Sequence, residues 1–388
     1  MDKLVCEVLA RHPKNLARVT RFNTAHGDVL TPVFMPVGTR AGVNNLTPQE
    51  LLATGSQMIL GGNTYHMLCE PGLDTIEKAG GMHPMMGWQG PMLTDSGGFQ
   101  IFSLSKNKEI CHIDDEGAHF CVPGSSRWIH MTPEVSIQAQ KVIGADVIMA
   151  FDQCTPSDVS HREAAFIMER THRWLLQSYR CHAENPYSKY GYFQSLFGII
   201  QGGIYADLRE VSADFVTSLD LPGVAIGGEA IGFDMVATCE ILTHLADRLP
   251  EEKPRYSMGV GMGPQDLIDV VRCGMDMFDC VAPTRNARHG SLYSGRFVQT
   301  GDWIRFDSEY ANGRLDIKKQ QFIDDQNPLM DTCGCYTCQH YSRSYLHHLF
   351  KLKSNLYACL ACIHNIHVMQ DACRLMRELI MGTYDQTS

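Results

Sequence analysis

Eight short apolar runs recur along the first 280 residues, and each is followed by a glycine or polar residue and then by a stretch with helical periodicity. Runs of this length without alternation are typical of strands buried on both faces of a parallel sheet. Eight strand–helix units predict an α/β fold of the (β/α)8 TIM-barrel type, and a doubly wound open sheet is the alternative that the pattern also allows. The runs are 33–36, 57–60, 91–94, 146–151, 196–200, 223–226, 255–258 and 275–278.

The residues after these runs should meet at one rim, because the carboxyl ends of parallel strands in a barrel point the same way. A single aspartate after a strand is explained by capping of the next helix. Three aspartates on one rim, beside a glutamine and several glycines, instead predict a functional site. The rim residues are Gly38, Thr39, Asn63, Asp95, Asp152, Gln201, Gly228, Gly259 and Asp279.

Two segments interrupt the strand–helix period. Residues 105–130 alternate polar and apolar side chains, which predicts a β-hairpin insertion. From about residue 301 a cysteine cluster appears, followed by long helix-like stretches. We therefore expect a barrel domain over 1–300 and a metal-binding subdomain with closing helices over 301–388.

The cysteine cluster places three thiols within six residues, at Cys333, Cys335 and Cys338. Thiolates at such spacing can converge on one tetrahedral zinc ion. Two candidates compete for the fourth ligand, and spacing alone slightly favours a ribbon of paired Cys-x-x-Cys knuckles. Cys359 and Cys362 would complete a four-cysteine ribbon with Cys335 and Cys338, whereas His364 would complete a Cys3His site. Because residues 355–380 have helical periodicity, Cys359 and Cys362 also fit as buried core thiols.

Charge and cysteine usage limit the class of protein. A formal net charge of −10 argues against wrapping of nucleic acid over the whole surface, although a local basic patch is compatible with it. The chain starts without an apolar signal run and has no apolar stretch long enough to span a membrane. The 15 cysteines are therefore expected to be reduced, as in a cytoplasmic protein.

The rim residues suit chemistry at a glycosidic bond. One carboxylate can attack an anomeric carbon while another moves protons. Asp152 could accept hydrogen bonds from the N–H groups of a guanine-type base, and Gln201 with a glycine N–H could donate to its O6. Phe99 could stack on the ring.

At these residues the chain resembles the queuosine-pathway tRNA-guanine transglycosylases of the bacterial and eukaryotic catalytic-subunit kind. The resemblance covers nearly the whole chain. It is carried by long motifs, namely FMPVGT at 34–39, GNTYH at 62–66, LTDSGGFQ at 93–100, GIIQGG at 198–203, DMFDCV at 276–281 and PTRNAR at 283–288.

The resemblance implies a TIM barrel with one structural zinc and assigns residue roles. Asp279 matches the nucleophile that attacks C1′, and Asp95 matches the general acid–base. Base contacts are implied for Asp152, Gln201, Gly228, Ser96, Phe99, Cys154 and Met258. Contacts to tRNA are implied for Asn63 (at the ribose), Gly259, Gly261, Thr284, Arg285 and Arg288, and zinc ligands for Cys333, Cys335, Cys338 and His364.

The implied reaction exchanges guanine at the anticodon wobble position, position 34, of the tRNAs for Tyr, His, Asn and Asp. A 7-deazaguanine, preQ1 or queuine, replaces it through a covalent enzyme–RNA intermediate. The family usually forms homodimers near the zinc subdomain, where Tyr341, Tyr345 and His348 are candidates. No redox or nucleotide cofactor is expected.

Four positions depart from the family pattern, and one of them is Asn44, which stands where Lys is common. Glu229 stands where Leu is common, Phe233 where Glu is common, and Gln153 where an acidic residue usually follows Asp152. Glu229 and Phe233 lie, together with Ile231, in the segment that in this family senses the 7-substituent of the incoming base. The choice between preQ1 and queuine is therefore open. Because Asp279 and Asp95 are both present, a non-catalytic accessory subunit is disfavoured, and a sugar hydrolase would leave the cysteine cluster unexplained.

Overall fold

The computed structural model of the protein describes residues 3–384. Its strands, in chain order, are β1 (Cys6–Arg11), β2 (Arg18–Thr24), β3 (Gly27–Leu30), β4 (Val33–Pro36), β5 (Ile59–Asn63), β6 (Met92–Asp95), β7 (Cys111–Ile113), β8 (Ala118–Cys121), β9 (Trp128–Met131), β10 (Val147–Met149), β11 (Ser195–Ile200), β12 (Gly223–Ile226), β13 (Arg255–Ser257), β14 (Met277–Cys280), β15 (Ser291–Tyr293), β16 (Arg296–Thr300), β17 (Trp303–Asp307) and β18 (Arg314–Asp316).

The helices of the same residues are α1 (Pro48–Ala53), α2 (Thr64–Cys69), α3 (Leu73–Lys78), α4 (Met82–Met86), α5 (Gly98–Leu104), α6 (Pro133–Ile143), α7 (His161–Glu184), α8 (Ala206–Thr217), α9 (Met235–Leu245), α10 (Pro264–Arg272), α11 (Ala282–Arg288), α12 (Tyr336–His340), α13 (Arg343–Lys351) and α14 (Asn355–Met381). Among them, none combines the length and apolar character that crossing a bilayer would require.

Eight strands pair in parallel in the order β4-β14-β13-β12-β11-β10-β6-β5. A parallel bridge between Val37 and Leu60, with the Gly38 N–H donating to the Leu60 carbonyl at 2.7 Å, brings β4 beside β5. The barrel prediction is confirmed, and each apolar run supplies one strand.

Three rim residues belong to the strands themselves instead of following them. Asn63 and Asp95 pair across β5 and β6, and Asp279 pairs with Met35 across β14 and β4. Strand pairing therefore continues past the apolar run and includes the polar residue at its end. The backbone of each of these three residues is fixed by the sheet.

The barrel interior is filled by side chains, not by solvent. A short antiparallel sheet of β1, β2 and β3 covers the amino end of the barrel and adds apolar side chains to its core. The shared cluster contains Leu4, Phe22, Val29, Met35, Leu60, Met149, Phe197, Tyr256 and Met277. Among the described residues, access to the barrel is therefore from its carboxyl rim.

A buried ion pair fastens this N-terminal sheet to the barrel. Arg18 donates through Nε and Nη2 to the two carboxylate oxygens of Asp276, at 3.0 and 2.6 Å. Its remaining donors bond the carbonyls of Glu251 and Lys253 at 2.6 and 2.8 Å. Asp276 also accepts the Arg255 N–H at 2.8 Å. The bidentate geometry and the extra bonds satisfy both buried charges.

A second anchor lies at the start of β10. Asp146 accepts from His26 Nδ1 at 2.8 Å and from the Met92 N–H at 2.9 Å, and His26 stacks on His83 with ring centroids 3.6 Å apart. Although burial raises the pKa of Asp146, its hydrogen bonds to His26 and His83 lower it to about 2. This carboxylate is therefore ionised throughout the neutral range.

The inserted segment folds as three antiparallel strands, β7, β8 and β9, one more than a hairpin. Its alternation is explained by one apolar face, which includes Phe120 and Met131 and packs against Trp174 of α7.

At the other end of the chain, α14 lies against the barrel. Gln370 donates to the Phe34 carbonyl at 2.9 Å, and Asn365 to the Pro283 carbonyl at 3.0 Å.

Replacing Arg18 with Leu would leave Asp276 buried without a cation. We expect the free energy of unfolding in urea to fall by about 3–5 kcal/mol, the cost of breaking a buried pair from one side. Arg11→Leu is the matched control, because Arg11 pairs with Glu251 at 2.8 Å on the surface, and exposed pairs contribute little. Similar losses in the two variants would contradict this account.

Candidate active site and metal centre

Asp279 is the third residue of β14 and lies half-buried at the carboxyl rim. Its Oδ1 accepts from the Tyr256 hydroxyl at 2.6 Å and from the Gly259 N–H at 2.9 Å. Burial raises its pKa, and these two donors oppose the rise. The two bonds fix the orientation of the carboxylate.

Asp95 closes β6 on the same rim. Its Oδ2 accepts from Asn63 Nδ2 at 2.5 Å, and its Oδ1 accepts the N–H groups of Thr64 and Gly97 at 3.3 and 3.0 Å. Burial raises the pKa of Asp95 to about 7 against these donors, and the charge of Asp279 contributes to the rise. The two carboxylates therefore share one electrostatic environment, and Asp95 can gain or lose a proton near neutral pH.

Asn63, the predicted ribose contact, uses both ends of its side chain within the protein. Its Nδ2 holds Asp95, while its Oδ1 accepts the His66 N–H at 3.1 Å and caps α2. The side chain is buried. In this structure Asn63 thus positions Asp95.

A second polar group lies between β10 and β11. Asp152 is buried, and its two oxygens accept from Ser96 Oγ at 3.2 Å and from Gln201 Nε2 at 2.8 Å. Burial raises the pKa of Asp152 to about 6, while the Gln201 and Ser96 bonds lower it. Because that value lies below neutrality, the carboxylate is mainly ionised at pH 7 and can accept from a donor edge.

Small residues let the backbone approach this group closely. A Cβ on Gly98 would collide with Asp152, and one on Gly227 would lie 3.1 Å from Gln201 Nε2 and 3.3 Å from Met258 Sδ. Gly228 has a φ of +117°, a conformation that side chains rarely tolerate. These glycines therefore let the backbone pack directly against the side chains of Asp152 and Gln201.

The other predicted base contacts differ in exposure. Cys154 is buried, and burial raises the pKa of its thiol, so the group is a neutral wall. Phe99 is 49% exposed on α5, with its ring 6.1 Å from that of Phe102. A face of Phe99 is thus open to a stacking partner.

Two of the four departures from the family pattern have partners outside the Asp152–Gln201 group. Gln153 accepts from Arg170 Nη1 at 3.0 Å, so it faces α7. Glu229 accepts from the Ser157 N–H and hydroxyl at 3.0 and 3.2 Å and lies 3.5 Å from Lys106 Nζ. The bonds to Ser157 lower the pKa of Glu229 despite some burial. Phe233 is 75% exposed.

The predicted tRNA contacts also divide by exposure. Arg285 projects from α11 into solvent and Arg288 is half-buried, and neither forms an ion pair among the described residues. Thr284 is buried, with its hydroxyl on the Val281 carbonyl at 3.3 Å. Gly261 lies in the core, where a Cβ would come within 3.1 Å of Phe34.

The cysteine cluster forms one buried group with His364. Nδ1 of His364 lies 3.7, 3.5 and 3.3 Å from the sulfurs of Cys333, Cys335 and Cys338. His364 Nε2 lies 2.7 Å from the Tyr293 carbonyl oxygen, so Nε2 carries the ring proton and donates it to that oxygen. Nδ1 then directs its lone pair at the three thiols. This buried Cys3His set can hold a metal ion.

The four-cysteine ribbon is excluded by geometry. Cys362 is buried with its thiol on the Thr284 carbonyl at 3.7 Å, and Cys359 donates to Glu50 at 3.1 Å. Both lie outside the His364 group, on α14, as core or near-core thiols. The helix predicted over 355–380 is present as α14.

Comparison with known proteins assigns this arrangement to a family. The family model described as queuine tRNA-ribosyltransferase matches residues 13–386. The chain belongs to this family. Among relatives named queuine tRNA-ribosyltransferase, that of Gloeobacter violaceus is 43% identical over 97% of this chain and 93% of its own length. Those of Nostoc sp. and Francisella tularensis subsp. holarctica are 43% and 41% identical, over 96% and 94% of this chain and 92% of their own lengths.

Sequence reasoning about this queuine tRNA-ribosyltransferase family member missed two residues. Tyr256 lies in an apolar run and counts as core by pattern, yet its hydroxyl reaches Asp279. Arg209 has the sequence appearance of a surface residue on α8 but is fully buried. It donates to the carbonyls of Ile200 and Gly203 at 2.8 Å and braces the Gln201 loop. Neither contact has a signal in the local sequence.

The raised pKa of Asp95 predicts how stability depends on pH. A group whose folded pKa is raised binds more protons in the folded state, so it destabilises the fold as pH rises from about 4 through 7. Asp95→Asn removes this titration. We expect the unfolding free energy of the variant, minus that of the wild type, to increase from pH 5 to pH 8 in urea titrations. The readout is how this difference in unfolding free energy changes with pH. Its value at a single pH also contains a constant contribution, because the amide replaces one accepting oxygen of Asp95 with a donor. A difference that stays constant with pH would argue against a raised pKa.

Proposed function

We propose that this protein exchanges guanine at the wobble position of tRNAs with GUN anticodons for a 7-deazaguanine base, in queuosine modification. The observation that carries the proposal is the pair of rim carboxylates, Asp279 and Asp95, beside the Asp152–Gln201 group. Family membership supports the same activity. The pair supplies a nucleophile and a proton carrier, and the adjacent group supplies acceptors and donors for a purine edge.

In the first displacement, a carboxylate oxygen of Asp279 bonds to C1′ of the nucleotide. The C1′–N9 bond breaks, and guanine leaves with the electron pair and takes up the proton of the Asp95 carboxyl group, which leaves Asp95 as a carboxylate for the second step. Tyr256 and Gly259 hold Oδ1 in place, so we assign the attack to Oδ2. The RNA then stays attached to the protein as a glycosyl ester.

In the second displacement, the incoming base gives its N9 proton to Asp95 and attacks the same carbon, which breaks the ester. Two inversions give net retention. A pKa of about 7 suits Asp95 to this role, because a carboxyl that titrates near the working pH can both accept and return a proton.

The base would lie between Asp152, Gln201 and the glycine backbone of 227–228. The ionised Asp152 accepts from N1–H and the exocyclic amine, while Gln201 and the Gly228 N–H donate to O6. Ser96, Cys154 and Met258 line this space, and Phe99 stacks on the ring. For entry of the base, Gln201 exchanges its bond to Asp152 for one to O6.

The RNA must be opened for C1′ to reach Asp279, so the anticodon loop binds as single strand with the target nucleotide turned out. Arg285, which is exposed and unpaired among the described residues, would bind a flanking phosphate, and Arg288 follows it on α11. Of the other proposed RNA contacts, Gly259 is exposed, whereas Thr284 and Gly261 are buried. The preference between preQ1 and queuine would depend on Glu229. Its carboxylate bonds to Ser157 and Lys106, so it can bind the amine of an incoming base only if those bonds break.

For the Cys3His group we propose one zinc ion with a structural role. Three thiols and one imidazole are a soft donor set that suits zinc, and four protein ligands leave no open position for substrate. Bound zinc would cross-link the loop at 333–338 to α14. We accordingly assign residues 1–300 to the catalytic barrel and 301–388 to the zinc subdomain and closing helices, of which residues 1–2 and 385–388 lie outside the described part.

We also propose a homodimer that acts in the cytoplasm. The surface beside the metal group is rich in aromatic side chains, with Tyr341 stacked on Tyr345 at 5.3 Å and Tyr336 53% exposed. Exposed aromatic side chains of this kind are enriched at protein interfaces. A tRNA substrate and fifteen free cysteines support a cytoplasmic site of action.

Zinc content tests the assignment of ligands. Cys335→Ser should lower bound zinc from about one equivalent per chain to nearly none and should lower the Tm, because three ligands hold the ion poorly. Cys362→Ser is the matched control, since Cys362 is equally buried but lies outside the group. Zinc is measured by atomic emission on chelator-washed protein. Loss of zinc in the control, or its retention in Cys335→Ser, would refute the assignment.

Exchange is tested with tRNA-Tyr that carries labelled guanine at the wobble position, chased separately with guanine, preQ1 and queuine. Wild-type protein should release label, and the base that releases it fastest is the preferred substrate. Asp279→Asn should slow release by about three orders of magnitude and abolish the protein–RNA adduct on denaturing gels. Asp269→Asn, on the outer helix α10, should keep both. If no base released label from wild-type protein, the proposed function would be wrong.

A further inference from the structure

The outward face of the inserted β7–β9 sheet carries three histidines in one row. The strand register places His112 opposite His119 and His119 opposite His130. The inward positions of the same strands are apolar and belong to the core. The row therefore lies on the solvent side, where a sheet needs no aromatic side chains for burial.

The three imidazoles are stacked across the strands. The rings of His112 and His119 have centroids 4.6 Å apart and planes 10° apart, and those of His119 and His130 are 3.9 Å and 9° apart. Stacked pairs can contribute to sheet stability by themselves. Stacking does not explain the carboxylate that lies at the edge of the row.

That carboxylate is Asp114, in the turn between β7 and β8. Its Oδ1 accepts the N–H groups of Glu116 and Gly117 at 2.9 and 3.0 Å, so the turn fixes its position. Its Oδ2 lies 3.1 Å from His119 Nε2. Although burial raises the pKa of Asp114, the turn N–H groups and His119 lower it, which keeps the group anionic.

One ligand atom from each of His112, Asp114 and His119 lies within 4.8 Å of the other two. Ligands of one zinc ion, with bonds of about 2.0–2.2 Å, are separated by roughly 3.3 Å. Imidazole lone pairs lie in the ring plane, so one of the two stacked rings must turn out of the stack to share an ion with the other, and His112 is exposed and free to do so. Two imidazoles and a carboxylate are donors that borderline divalent ions accept.

We propose that His112, His119 and Asp114 bind a divalent transition-metal ion of the zinc type at a site separate from the Cys3His group. His130 stacks on the far face of His119 and positions that ring. The neighbouring Asp115 ties the same turn to α7, since it accepts from Arg170 at 2.8 Å. The site would thus be built on an anchored turn.

The probe is zinc chloride, titrated by calorimetry into untagged full-length protein whose Cys3His site is already loaded. We expect one further zinc per chain. The variant with both His112→Phe and His119→Phe retains the aromatic row and should lose this binding, with an unchanged Tm. His161→Phe is the matched control, because His161 pairs with Asp207 at 2.7 Å on the surface without a second imidazole in its group.

Asp114→Asn supplies a second variant that does not depend on the row. Asparagine can accept the same turn N–H groups but has no charge, so zinc affinity should fall by about tenfold or more with the turn intact. The proposal is overturned if wild-type protein binds no zinc beyond the Cys3His equivalent, or if the double phenylalanine variant still binds the additional ion.

Discussion

Parallel pairing around a closed ring is the constraint on which the rest of the site depends. The Val37–Leu60 bridge joins β4 to β5 and closes the ring. Because all eight strands are parallel, their carboxyl ends form one rim, and side chains from distant parts of the sequence converge there. Asp95 and Asp279 are themselves members of the ladder, so their backbones are as rigid as the sheet. The loops that follow the strands add further groups, among them Gly97 and Gly259, whose N–H groups hold these two carboxylates.

The rim concentrates carboxylates in surroundings that disfavour charge. Burial raises the pKa of Asp95, Asp152 and Asp279, and a small number of N–H and O–H donors limits the rise. Such a site costs stability, as functional sites commonly do. The amino end of the barrel has the opposite character, because Arg18 neutralises Asp276 three residues before Asp279 in the sequence.

Much of this architecture could be predicted from sequence, because barrel strands are buried on both faces and appear as uninterrupted apolar runs. The metal group was ambiguous from spacing, since a periodic helix can hide Cys359 and Cys362 in a core or present them as ligands. What sequence could not give were contacts between distant side chains. The hydroxyl of Tyr256 on β13 bonds to Asp279 on β14, and Arg209 points inward from an amphipathic helix. Glu229 accepts from Ser157, outside the Asp152–Gln201 group.

The covering of the amino end by β1–β3 has a kinetic consequence for the proposed exchange. Phe22 and Val29 pack over that end and side chains fill the interior, so the described residues leave no passage through the amino end of the barrel. In the proposed reaction, departing guanine and arriving 7-deazaguanine would both use the opening at the carboxyl rim, while the tRNA would stay covalently attached to Asp279. In the proposed exchange the first base would leave before the second enters, so turnover would be ordered and ping-pong, with release of the first base gating entry of the second.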